Sequence, residues 1–291
     1  MKRKVNFRES GHRADIGPYV IYRMLANRYV ESVGPFVFLD HAVPIKHAAN
    51  EPHRKPNGEG AHPHRGIATL TYVLNGEADH FDSKGHRAKV YSGGAQWMKA
   101  GNGIIHDEAV NPDPKTNDLL THVLQFWINL PSKNKAERPE YLPVQSDEIP
   151  KKELKDNVGW LKVVVGQYDN GVSKIPNYSK QFIYHIHLEA GKKFELETEK
   201  ELEYAAILPV NDAIINDTEY RNGELIGFDN SEGIIEIRNK SKEATDIIVF
   251  GGEPYTEPIV AQGPFVMNTE HEISKAYNDF YDGKYGEVKY N

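Results

Sequence analysis

Short runs of β-branched and aromatic residues recur from one end of the chain to the other, and they restrict its fold more than any other feature. The runs cover residues 36–39, 67–74, 122–130, 160–165, 182–188, 204–208 and 245–250. Such runs are typical of β-strands when turn residues separate them. We therefore predict an all-β fold in both halves of the chain.

The chain is also too long for one hydrophobic core. Its 291 residues correspond to two domains of roughly 130 to 150 residues each. A charged segment from Pro131 to Pro150 contains four prolines, which interrupt strand pairing and suit an exposed crossing. Many short strands in each half indicate two jelly-roll β-barrels in tandem. The predicted division is a first barrel over 1–135, a linker over 136–150 and a second barrel over 151–291.

One helix is expected, at the end of the second barrel. Thr269 and Glu272 form a capping-box pattern, and Gly283 provides a stop. An apolar stripe at helical spacing lies between these signals and consists of Ile273, Ala276, Tyr277 and Phe280. We predict a short C-terminal helix whose role is packing.

Composition narrows both the location and the chemistry. The formal charge of −7, with basic and acidic residues interspersed, argues against direct nucleic-acid binding. No apolar run approaches the roughly 18 residues of a membrane span, and the basic start of the chain lacks the apolar stretch of a secretory signal, so a cytoplasmic protein is expected. The absence of cysteine leaves histidine and carboxylates as the strong candidate metal ligands.

Two pairs of potential metal ligands stand out in the first half. His62 and His64 are two positions apart, so in an extended chain their imidazoles point to the same side about 6 to 7 Å apart. His106 and Glu108 repeat this arrangement. A histidine pair alone is equally typical of a solvated strand face. The second pair, separated from the first by turn signals, favours one metal site on neighbouring strands.

The donor set restricts the metal and its ligands. Three imidazoles and one carboxylate suit Fe(II), Mn(II), Co(II), Ni(II) or Zn(II), and a six-coordinate ion would keep two positions for O₂ or substrate. A divalent ion with one carboxylate has a net charge of +1, which favours an anionic oxygen ligand such as an enolate or phenolate. The expected partners are therefore a small aromatic or enolisable substrate and O₂.

Several motifs around these residues resemble the pirin family of the cupin superfamily. The matching segments are 62–66 (HPHRG), 96–108 (QWMKAGNGIIHDE), 124–131 (LQFWINLP), 251–254 (GGEP) and 263–269 (GPFVMNT). The resemblance implies a bicupin with one metal, usually iron, held in the N-terminal barrel. By position, its ligands would be His62, His64, His106 and Glu108. Wider cupins have a further carboxylate where this chain has Ala68 and Thr69, which leaves Glu108 as the sole anionic ligand.

The resemblance implies two kinds of function. Some pirins resemble quercetin 2,3-dioxygenases, which open the flavonol heterocycle with O₂ and release carbon monoxide. We therefore expect a metal-dependent dioxygenase of this type, most simply with Fe(II), in which Glu108 is a ligand and also the base that accepts the proton of the flavonol 3-hydroxyl. Other pirins are described as transcriptional co-regulators, so the alternative is a non-enzymatic, metal-dependent redox sensor or co-regulator that acts through a protein partner. A third option is another reaction on an enolisable substrate.

Other histidines and polar residues of the chain have a weaker claim to this site. His185 and His187, followed by Glu189, repeat the alternating pattern in the second half, but no second His-x-Glu pair follows them. A polar strand face is the preferred interpretation there. Three polar residues could form hydrogen bonds to the ligands without binding the metal themselves: Gln96, Asp107 and His122. They are not assigned to the site.

Overall fold

The chain folds into two compact units, described here from a computed structural model in which residues 1–17 and 19–290 are defined. Unit 1 consists of Met1–His41 and Ile149–Tyr255. Unit 2 consists of Ala42–Glu148 and the described residues from Thr256 on. Both units are therefore discontinuous in sequence.

Antiparallel strands dominate both units, and one helix follows them. In chain order the elements are β1 (Val5–Glu9), β2 (His12–Arg13), β3 (Ile21–Leu25), β4 (Phe36–Lys46), β5 (His62–His64), β6 (Ile67–Asn75), β7 (Glu77–Asp82), β8 (Arg87–Tyr91), β9 (Ala95–Lys99), β10 (Ile104–Asn111), β11 (Leu120–Asn129), β12 (Glu140–Val144), β13 (Lys151–Glu153), β14 (Gly159–Val165), β15 (Gln167–Tyr168), β16 (Gly171–Val172), β17 (Gln181–Leu188), β18 (Lys193–Thr198), β19 (Glu203–Ile207), β20 (Ala213–Ile215), β21 (Thr218–Tyr220), β22 (Leu225–Phe228), β23 (Gly233–Arg238), β24 (Thr245–Gly252), β25 (Val260–Gln262), β26 (Phe265–Met267) and α1 (Glu270–Tyr281). Short 3₁₀ turns cover Ser132–Asn134, Ser146–Glu148 and Lys155–Asn157. The predicted all-β fold with a short C-terminal helix is confirmed.

Unit 2 is a sandwich of two antiparallel sheets. One sheet contains β12, β9, β6 and β11 in that order, and the other contains β5, β10, β7 and β8. Val73 of β6 and Val123 of β11 pack in one buried cluster with Ala78 of β7 and Val90 of β8. The apolar face of each sheet therefore covers that of the other.

Unit 1 repeats this plan. Its larger sheet has the order β1, β22, β19, β24, β17, β14 and β13, and its smaller sheet has the order β18, β23, β20 and β21. Ile186 and Ile247 of the larger sheet share a core cluster with Leu196 and Ile235 of the smaller one. Arg3 is fully buried in this unit, where its guanidinium donates to three backbone carbonyl oxygens.

The two ends of the chain differ from the division expected from the sequence. Segment 1–41 belongs to the unit formed by 149–255, and the described residues from Thr256 on belong to the unit formed by 42–148. Within unit 2, Phe265, Met267 and Ile273 form a buried cluster against which Ile105 of β10 packs. The C-terminal helix therefore packs within unit 2, which contains most strands of the predicted first barrel.

The helix itself follows its sequence signals. The Thr269 hydroxyl accepts a hydrogen bond from the Glu272 backbone N–H at 3.2 Å, and the Glu272 carboxylate accepts one from the Asn268 N–H at 3.0 Å. Ile273 and Ala276 are buried, and Gly283 has a φ of +74° just after the helix. In the part of the chain that the structure describes, no helix has the length and hydropathy that a membrane span requires.

Candidate metal centre

Strand pairing brings the predicted histidines together. β5 and β10 run antiparallel, and His62 lies directly opposite His106 in their register. The ring centroids of His62 and His106 are 4.4 Å apart, and His64 lies 4.8 Å from the first and 5.0 Å from the second. Nitrogen atoms of all three imidazoles therefore lie within 4.8 Å of one another.

Backbone carbonyls orient two of these rings. The Nδ1 atom of His62 donates to the Gly60 carbonyl oxygen at 2.8 Å, and that of His64 donates to the Pro264 oxygen at 3.1 Å. Since a carbonyl oxygen can only accept, both Nδ1 atoms carry the hydrogen and both Nε2 lone pairs are available to a cation. Pro264 belongs to the C-terminal segment of unit 2, so this segment also orients the candidate ligand His64.

The third imidazole fits the same interpretation. The Nε2 atoms of His62 and His106 are 3.1 Å apart, close to the roughly 3 Å expected for two nitrogens bound about 2.1 Å from one ion at right angles. Without a metal, one of these two nitrogens must carry a hydrogen and donate it to the other. The Nδ1 atom of His106 is buried, lies 3.5 Å from Glu108 Oε1 and has no hydrogen-bond partner among the described residues. The donor set and its spacing therefore fit a mononuclear metal.

Glu108 lies at the edge of this group, and its environment is specific. Its Oε1 atom accepts a hydrogen bond from Gln96 Nε2 at 2.7 Å and is 3.4 Å from Nδ1 of His80. The Tyr141 hydroxyl donates to Gln96 Oε1 at 2.9 Å, which fixes the amide with its NH₂ group toward Glu108. The contacts from Gln96 and His80 are both to Oε1 and not to Oε2. Glu108 forms a second potential metal-binding group with His80 and His106, so the two groups share His106.

His80 is the residue that the sequence interpretation missed. It lies directly opposite Glu108 in the pairing of β7 with β10 and is fully buried. Its Nε2 atom is 3.2 Å from Asp82 Oδ2, which also accepts from His86 Nδ1 at 2.8 Å, and its ring stacks on Tyr141 at 4.0 Å. The alternating pattern His80-x-Asp82 was visible in the sequence. Only the strand register shows that it faces Glu108.

The surroundings set the charge of each group. Burial, together with the neighbouring His62, lowers the pKa of His64 well below 6.5 and that of His106 to about 4. Burial alone would raise the pKa of Glu108, but the His106 and His80 imidazoles hold it well below 4.5. His64 and His106 are therefore neutral at pH 7 and Glu108 is ionised, which are the forms that bind metals.

Other predicted candidates lie elsewhere or have different partners. Of the three supporting residues considered, Gln96 contacts Glu108, whereas the Asp107 carboxylate accepts from the backbone N–H groups of Asn57 and Gly58 and from the Tyr290 hydroxyl. His122 lies buried on β11, opposite Asn75 of β6.

The alternating histidines of unit 1 form a different arrangement. His185 and His187 both contact Asp246 Oδ1, at 2.9 and 2.7 Å, and the His187 ring stacks on Trp160 at 4.9 Å. Both imidazoles are thus hydrogen-bonded to the same carboxylate oxygen, and that of His187 is also stacked on an indole ring. The arrangement is that of a hydrogen-bonded polar cluster on a strand face.

Comparison with known proteins identifies the family. Residues 19–128 match the sequence profile of pirin, and residues 183–286 match that of the pirin C-terminal cupin domain. The chain belongs to the pirin family. A Pseudomonas aeruginosa relative with the name "Putative quercetin 2,3-dioxygenase" is 32% identical over 259 residues, covering 89% of this pirin and 89% of the relative.

Solved structures support the same assignment. A quercetin 2,3-dioxygenase from Acinetobacter baumannii superimposes with a TM-score of 0.88 at 29% identity, covering 99% of this pirin and 100% of that chain. The bacterial pirin YhhW from Escherichia coli, solved in complex with nickel(II), superimposes with a TM-score of 0.62 at 20% identity, covering 87% and 98%. At that identity, the second likeness concerns the fold alone.

Proposed function

We propose that this pirin is a metal-dependent dioxygenase of the quercetin 2,3-dioxygenase type. The observation that carries the proposal is the convergence of three imidazoles beside one ionised carboxylate. This reaction class is supported by similarity to a relative and to a solved structure that are both named quercetin 2,3-dioxygenase, the relative putatively. His62, His64, His106 and Glu108 would hold one divalent transition metal, with Fe(II) as the first candidate and Mn, Co, Ni or Zn also compatible with the donor set.

The metal would supply Lewis acidity and two further coordination positions for a flavonol and O₂. Among the protein groups, Glu108 would bind through Oε2 while Gln96 and His80 restrain Oε1. The low pKa of Glu108 suits an anionic ligand. As a base, the same carboxylate would deprotonate only an acidic hydroxyl efficiently, which restricts the substrate to phenols and enols.

The surroundings of the centre are compatible with a flat aromatic substrate. His62 is exposed while His64 and His106 are buried, so the open side of the centre is that of His62. The Trp127 indole meets the His64 ring edge to face at 5.0 Å. This indole holds the buried ligand in place and adds aromatic surface beside the centre.

The test is oxygen consumption and carbon monoxide release with quercetin, measured on metal-loaded protein. Glu108→Gln keeps the size of the side chain but removes its charge and its basicity. We expect turnover to fall by about 100-fold or more. The exposed Glu232→Gln is the matched control for a lost carboxylate. Near-normal turnover of a Glu108→Gln protein with full metal content would contradict the role of Glu108.

The same assay separates the second candidate function. If no flavonoid in a panel supports oxygen consumption, and a protein partner binds only the metal-loaded chain, the pirin is a metal-dependent sensor or co-regulator. The enzymatic proposal would then be wrong, whereas the metal site would stand. Elemental analysis of protein purified without added metal identifies the ion in either case.

A further inference from the structure

A cavity in unit 2 is lined by none of the four candidate ligands and is strongly basic. It has a volume of about 710 Å³. Its charged lining consists of Arg65, Lys84, Arg138, Lys275, Lys284 and Asp279. Five cations and one carboxylate give this lining a formal charge of +4 with His86 neutral, although the whole chain has a charge of −7. The concentration of positive charge is therefore local to this cleft.

The single carboxylate does not balance these cations. Asp279 accepts from Arg65, Lys275 and Lys284 at 2.6 to 2.7 Å. Lys84 donates to the Tyr285 carbonyl oxygen at 3.0 Å, and Arg138 is exposed. Within the described residues, neither Lys84 nor Arg138 forms an ion pair with a carboxylate. Lys84 and Arg138 thus have no carboxylate counter-ion among the described residues.

The backbone is closely packed on one side of the cleft. Asn102 lies between Gly101 and Gly103, which have φ values of +48° and +125°. A Cβ atom at Gly101 would overlap the Glu137 carbonyl, and one at Gly103 would overlap the Tyr285 ring, so glycine permits this close packing. The backbone on this side of the cleft, which places Asn102 in the lining, is therefore fixed by close packing.

We propose that this cleft binds a small molecule that carries a phosphate or diphosphate group. Arg138 offers a planar fork for two phosphate oxygens, and Lys84 offers a point charge with free donor capacity. The volume is within the range of about 300 to 1,000 Å³ that is usual for small-molecule sites. The proposal is independent of the reaction at the metal centre.

Titration calorimetry of the metal-loaded full chain with inorganic pyrophosphate tests this site. We expect saturable binding at about 0.15 M ionic strength, because the clustered charges are only partly screened there. Arg138→Gln should weaken binding about tenfold or more, since a hydrogen bond to a charged group contributes roughly 1.5 to 3 kcal/mol. Lys133→Gln is the matched control, because Lys133 is exposed and does not line the cleft.

Two results would overturn the proposal. One is the absence of saturable binding by the wild-type chain. The other is equal affinity of Arg138→Gln, Lys133→Gln and wild type, which would place pyrophosphate on the metal or on diffuse surface charge. Both substitutions remove one positive charge from an exposed position, so a folding defect does not confound the comparison. Equal melting temperatures of the two variants verify this.

Discussion

Replacing Gln96 by leucine isolates the contribution of one supporting hydrogen bond to the metal centre. Gln96 donates to Glu108 Oε1 at 2.7 Å, whereas the other contact to this oxygen, from His80, is long at 3.4 Å. A hydrogen bond to a charged acceptor contributes roughly 1.5 to 3 kcal/mol, equivalent to about 10- to 100-fold in an equilibrium constant. The hydrogen bond exists in the metal-free protein as well, so part of this energy cancels in the free energy of metal binding. We therefore expect an effect at the lower end of this range, a loss of about tenfold in metal affinity.

Competition between the protein and a chromophoric chelator for Co(II) measures this affinity, and the visible absorption of Co(II) reports the geometry of its ligands. Gln181→Leu is the matched control, because it removes a buried glutamine from unit 1. Tyr141→Phe should have a smaller effect in the same direction, since it frees the Gln96 amide without removing it. A Co(II) affinity of Gln96→Leu within about twofold of wild type would refute the orienting role.

Two further predictions concern stability. Gly103→Ala should destabilise the protein in urea unfolding by about 1 to 3 kcal/mol more than Gly85→Ala, because both glycines have positive φ but only Gly103 packs against the Tyr285 ring; equal losses would contradict this packing. Burial lowers the pKa of His41 from 6.5 to about 4, so the unfolded chain binds a proton that the folded chain rejects between these values. Wild type should therefore lose up to roughly 3 kcal/mol as the pH falls from 6.5 to 4, and His41→Gln should lose less; identical pH profiles of unfolding would be inconsistent with a neutral buried His41.

Local patterns identified the four candidate ligands because each pair lies on one strand. His62 with His64, and His106 with Glu108, are two positions apart, so the alternation of a β-strand alone places each pair on one face. The contacts that orient these ligands come from other parts of the chain. His80 is on β7, and Pro264 lies some 200 positions from His64. No local periodicity encodes such distant pairings.

Local patterns also do not show which distant segments pack together, which is why the predicted domain bounds differ from the two units. Strand and helix signals correctly predicted that the segment after Thr269 is helical, because capping and apolar spacing are local. Which barrel this helix covers depends on the fit of Phe265, Met267 and Ile273 to a surface that includes Ile105. Apolar spacing shows that a face is buried but does not show what buries it.

The charge of the candidate centre depends on residues beyond the four proposed ligands. Contacts with Asp82 and Glu108 raise the pKa of His80 despite its burial, and contacts with His80 and His86 lower that of Asp82 to about 2. When His80 is protonated, its charge offsets that of the ionised Asp82, and the pair adds no net charge to the site. The ion, three neutral imidazoles and Glu108 would then retain the +1 charge expected from the sequence. Such a centre stabilises a deprotonated hydroxyl more than a neutral one, which favours substrates that ionise readily.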